Sequence, residues 1–174
     1  MVCFFPVRFS PVTRSFPVVI LASAWVCGLL AGTYIAFSAD DSFLSLMRPV
    51  PAEPVSIISL LTVQLLPVFL SAFAVMISIR WLFYFLAFGE GFLLSFVGIG
   101  VALCYGSAGW LPALLLLLPG CICSCTVLWF RISAIRNPIT GFRSQLSLTT
   151  AAVLLISLLD HRYLLPFLTD LFNI

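Results

Sequence analysis

Between Val55 and Trp110 the chain carries two charged side chains, Arg80 and Glu90, within an otherwise apolar run. That run is too long for one membrane-crossing helix and fits two, at about 20 residues per crossing. The rest of the chain is built the same way. Hydrophobic residues make up 63% and charged residues 8%, and the mean hydropathy is +1.23. A soluble domain carries roughly 25% charged residues to cover its surface. Eight arginines and six acids cannot do this for 174 residues, so lipid is expected to be the main solvent. There is no lysine, and a net charge of +2 is too small and too dispersed along the chain to suggest a nucleic-acid surface.

The expected fold is therefore all-α: one polytopic integral membrane helix bundle over residues 1–174, with about five transmembrane helices. The first span, 16–37, lies between Arg14 and Asp40–Asp41, and reads as a retained signal anchor because it is longer than a cleavable apolar core. Ser38–Pro54 holds Asp40, Asp41, Arg48, Glu53 and the prolines 49, 51 and 54, an exposed loop. Spans two and three are placed at 57–79 and 81–105, with the turn at Arg80; Gly89–Glu90–Gly91 is the alternative break. A fourth span covers 110–132, and Arg131, Arg136 and Arg143 fall to a basic loop. The fifth, 146–168, is interrupted by Asp160–His161–Arg162 and just crosses. An N-terminus in the cytoplasm puts Arg8, Arg14, Arg80, Arg131, Arg136 and Arg143 inside, against Arg48 and Arg162 outside, as the positive-inside rule requires.

No hydrolase elbow, phosphate loop, HExxH or dinucleotide glycine pattern occurs, so no catalytic residue, metal site or cofactor is expected. Gly28-Leu-Leu-Ala-Gly32 places two glycines on one helix face, where another backbone can approach closely. The approaching helix belongs either to the same bundle or to a partner, a second copy of the chain included. Gly91, Ser95 and Gly98 form a similar small face on the third span. Glu90 is an ionised group at a cost on the order of 2.5–3.5 kcal/mol if it sits at membrane depth. It reads either as a proton or cation site, or as a helix end reaching headgroups or Arg80. Cys121 and Cys125 share a face and Cys123 points away, which favours packing over a metal.

Three stretches together resemble the stage II sporulation protein M family of bacterial membrane proteins. They are the first span with its Gly28-xxx-Gly32 end, the block from Gly91-Phe-Leu-Leu-Ser-Phe through Gly109-Trp-Leu-Pro to Leu118-Pro119, and the closing Asp160-His-Arg-Tyr163-Leu-Leu-Pro166. The chain departs from that pattern in having Glu90 where a basic residue is usual, Gly120–Cys121 where amides are common, and Asp160 for a glutamate. The resemblance implies a noncatalytic scaffold in the bacterial cytoplasmic membrane, holding peptidoglycan-degrading partners during forespore engulfment. It also draws attention to Asp160, Tyr163 and Pro166. The competing expectation is a small transporter or channel subunit, with an ATPase as partner, built on Glu90, Asp160 and a glycine-interrupted helix.

Overall fold

A run that is apolar all round has no polar face to leave in water, and its backbone groups find their partners within the helix itself. A computed structural model of the chain describes residues 11–40, 57–77, 79–105, 110–136, 142–164 and 166. The elements are α1 (Pro11–Phe37), α2 (Ile57–Ile77), α3 (Arg80–Tyr105), α4 (Trp110–Arg136) and α5 (Phe142–Leu159). A π-helical turn, Asp160–Leu164, continues α5. There is no strand among the described residues. Five segments are long and apolar enough to cross a membrane: Pro17–Phe37, Ile57–Ile77, Trp81–Cys104, Ala113–Ile135 and Phe142–Leu164.

The division between the second and third helices falls at Arg80, and α3 runs unbroken through Gly89–Glu90–Gly91. Three helix boundaries differ from the sequence expectation by four residues or more, the first being the start of α1, at Pro11 rather than 16. The fourth helix continues past 132 to Arg136, and the fifth begins at Phe142 rather than 146. The placement of Arg131 in a basic loop is thereby corrected: it lies within α4 and is fully buried. Its charge is met inside the bundle, so the helix has no reason to stop there. Asp160–His161–Arg162 does not end the fifth helix but passes into the π-helical turn. The expected exposed loop beyond Asp40, the turn 106–109, the connection 137–141, and positions 165 and 167–174 of the tail lie outside the described residues.

The helices α1, α2 and α4 contain Pro17, Pro67 and Pro119. Proline supplies no backbone N–H, and such positions are tolerated where side chains and neighbouring helices compensate. At Pro67 the Ser71 hydroxyl donates to the proline carbonyl at 2.6 Å, one turn on.

The central element is α4, which packs against each of the other four helices; α1 lies mainly along α3. Leu21, Ala74, Phe83 and Ala87 form one apolar cluster with Leu128, Ile132 and Ile135. It joins the starts of α1 and α3 to the ends of α2 and α4, so successive helices alternate in direction. Phe130 meets Phe142 at 5.8 Å between ring centroids, which brings the start of α5 to the same end. Arg14, Arg80, Arg136 and Arg143 thus stand on helix ends that gather at one end of the bundle. A second cluster, Val68, Cys123, Val127 and Val153, joins α2, α4 and α5. Outward faces are apolar on every helix, as at Leu30, Val63, Phe85, Leu114 and Leu148. Polar side chains are found inside instead: Arg131, Ser71, Ser124, Thr149 and Ser157 are buried. An apolar exterior around a partly polar interior suits a lipid solvent and would be an aggregation hazard in water.

Candidate functional site

The close approach of α1 and α3 sets the geometry of the site. A Cβ placed on Gly28 would collide with the Phe88 carbonyl oxygen, and one on Gly32 with the Phe92 carbonyl oxygen and the Ser95 hydroxyl. From the other side, a Cβ on Gly91 would collide with the Trp25 carbonyl oxygen and meet the Leu29 nitrogen at 3.1 Å. The two helices run in the same direction and touch backbone to backbone, the arrangement by which small residues hold helices together in lipid. The Ser95 hydroxyl is buried beside this seam and shares its proton between the carbonyls of Gly91 (3.1 Å) and Phe92 (3.2 Å). Gly98 faces elsewhere, onto the Leu117 side chain of α4.

One residue before Gly91, the Glu90 carboxylate turns toward α4. Arg131 donates to both of its oxygens, through Nη1 to Oε2 at 3.0 Å and through Nη2 to Oε1. Its remaining Nε donates to the Ser71 hydroxyl on α2 at 2.8 Å. Ser124, on α4, donates to Glu90 Oε2 at 3.5 Å and accepts from the Trp25 indole of α1 at 3.0 Å. Four helices therefore meet in one polar node. The Arg131 side chain is 0% exposed and that of Glu90 13%, so both charges sit away from solvent and are matched to each other. A bidentate arginine–carboxylate pair is planar and directional, which fixes the rotation of both helices as well as their spacing.

Asp160, the other acid of interest, belongs to a second group. The Gln64 amide of α2 donates to Asp160 Oδ2 at 3.4 Å, and its carbonyl oxygen accepts from Ser157 and, at 3.5 Å, from Cys123 Sγ. Ser157 also lies 2.7 Å from the Val153 carbonyl, one turn back. This group ties α5 and its π-helical turn to α2 and α4. Tyr163 is 64% exposed and Pro166 is exposed, whereas Asp160 is half-buried. Cys123 is buried, whereas Cys121 is half-buried and Cys125 exposed; all three are free thiols.

The structure thus brings Glu90 and Gly91 together with residues that sequence reasoning had not singled out: Arg131, Ser71, Ser124 and Trp25. A signal for Arg131 was present, since the apolar pattern continues through Ile132 and Ile135 beyond it. Gln64 was likewise visible as the single amide of an apolar span.

The outermost bond of the first node offers a direct check. Trp25→Phe keeps an aromatic ring, though a smaller one, and removes the indole N–H, leaving Ser124 still bonded to Glu90. Interhelical hydrogen bonds inside membrane bundles contribute about 0.6 kcal/mol on average. Thermal unfolding in detergent should accordingly show a loss of roughly 0.5–1 kcal/mol for this variant. A loss several times larger would mean that Trp25 acts through packing instead.

Compared with known proteins, the chain matches no family model, no curated protein and no solved structure.

Proposed function

We propose that this chain is a five-span protein of the bacterial cytoplasmic membrane, N-terminus inside, that acts as a noncatalytic scaffold of the stage II sporulation protein M type. On this reading it holds peptidoglycan-remodelling partners at the membrane during engulfment. The supporting observation is the Glu90–Arg131 pair. Its two charges neutralise each other and tie α3, α4 and α2 together, while Ser124 extends the link to α1. A group engaged in this way is suited to holding helices in place. The gathering of Arg14, Arg80, Arg136 and Arg143 at one end of the bundle supports the orientation. The resemblance in sequence supplies the partner class.

The test is co-purification. The full chain, extracted in mild detergent from cells remodelling their envelope, is expected to bring down a peptidoglycan hydrolase or its membrane anchor. Absence of any envelope partner after chemical crosslinking would sink the scaffold reading.

A transporter or channel subunit is the second reading, and one observation favours it. The polar groups around Glu90 and around Gln64 both lie in the bundle interior, where Cys123, bonded to Gln64, and Ser124, bonded to Glu90, are consecutive residues of α4. Polar groups following one another through a bundle are also what an ion or proton path uses. Ion or proton flux into vesicles reconstituted with the chain, lost in Glu90→Gln, would favour this reading over the first.

A further inference from the structure

Glu90 and Arg131 sit at unequal distances from the ends of their helices, and this has a consequence for assembly. Glu90 is ten residues into α3 from Arg80, about 15 Å at 1.5 Å per residue. That is near the middle of a hydrocarbon layer about 30 Å thick. Its side chain is short and cannot reach either interface. Arg131 is five residues from the end of α4, about 7.5 Å, and has a long flexible stem that can carry its charge to the headgroups. Within the otherwise apolar crossing segment Trp81–Cys104, Glu90 is the one charged side chain. Its carboxylate is matched by a residue 41 positions later, on the following helix.

We propose that Arg131 is the positioning residue that seats α3 across the bilayer, so that α3 becomes a stable crossing only once α4 has packed against it. This inference rests on the membrane-crossing reading of the helices and not on the scaffold role. It assigns the node an order of events. The α3 helix enters carrying an unmatched acid, α4 follows with Arg131, and the bidentate pair forms as the two helices dock. Ser71 then holds the guanidinium from the side of α2 at 2.8 Å. The two partners are not equivalent. Loss of Arg131 strands a carboxylate near mid-depth, whereas loss of Glu90 leaves an arginine that can reach the interface.

The experiment uses the full chain with Cys3→Ser, which removes the thiol expected on the opposite face of the membrane, and Ser107→Cys in the connection between α3 and α4, with a membrane-impermeant maleimide applied to sealed vesicles of defined orientation. In the otherwise native chain, labelling is expected from one side of the membrane. Equal labelling from both sides would overturn the crossing reading, and this inference with it. Against a one-sided native result, Arg131→Leu is expected to lower correctly sided labelling by roughly threefold or more, as an unmatched acid shifts α3 toward water. Glu90→Gln should stay near native, and the double variant Glu90→Gln/Arg131→Leu should return toward native. The proposal is overturned if Arg131→Leu labels like the native chain, if Glu90→Gln is as damaging as Arg131→Leu, or if the double variant gains nothing. Should Arg131→Leu fail to accumulate, the double variant decides. Restored accumulation shows that the stranded carboxylate was the defect, and unrestored accumulation overturns the proposal.

Discussion

Arg131→Met is expected to remove about 3–5 kcal/mol of stability in detergent, the largest loss from any single substitution in the bundle. The reason is what remains behind. Glu90 keeps the Ser124 hydroxyl at 3.5 Å but loses both guanidinium donors, and Ser71 loses the Nε it accepts from. A buried carboxylate without its counter-charge is costly wherever the surroundings are apolar. The value of the intact pair is a separate quantity. Replacing both partners with apolar residues of similar volume is often neutral. Glu90→Leu/Arg131→Met should therefore recover most of the loss, and unfolding of the four chains of this cycle measures the coupling directly. If the double variant is as unstable as Arg131→Met alone, the node acts through packing volume and not through charge.

The second large effect is expected at Gly28. Even the single added carbon of Gly28→Ala would press on the Phe88 carbonyl oxygen, which belongs to a helix backbone and cannot turn aside as a side chain would. Gly28→Leu must push α1 away from α3, at a cost of about 2–3 kcal/mol. The displacement would also draw Trp25 away from Ser124, now bonded at 3.0 Å. Gly89 provides the internal control. It is one residue from Glu90, yet a Cβ there would meet nothing within 4 Å. Gly89→Ala should leave stability unchanged or raise it by up to about 1 kcal/mol, since alanine is the better helix former. Thermal unfolding of these variants separates the two kinds of glycine. Equal effects at positions 28 and 89 would contradict the close α1–α3 contact.

These two predictions draw on very different amounts of sequence information. The small face carrying Gly28 and Gly32 on α1 was recognisable from spacing alone, because glycines four residues apart share a helix face. Which helix meets that face was open until the structure set it against Phe88, Phe92 and Ser95 of the same chain. Glu90 was conspicuous as an acid in an apolar run, and sequence proximity offered Arg80 or the headgroups as its partner, whereas the structure pairs it with Arg131. Arg131 is 41 positions away, and the apolar residues around it disguised a buried cation as the edge of a loop. The group around Gln64 was harder still: Asp160 and the lone amide stood out, but nothing local in the sequence brings them together with Cys123 and Ser157.

What the sequence determined alone is the helical class and the existence of five long apolar helices. Each of these follows from local quantities: the length of an apolar run, and the need of its backbone to bond within itself. The tertiary structure decided how those helices are rotated and which interior groups meet. That choice depends on close contact at Gly28, Gly32 and Gly91, and on side chains from four helices converging within hydrogen-bond distance. Lipid is as apolar as the helices themselves, so hydrophobicity cannot select one rotation over another. Packing of small residues and the direction of a few polar bonds make that selection, and neither can be read until the helices are together.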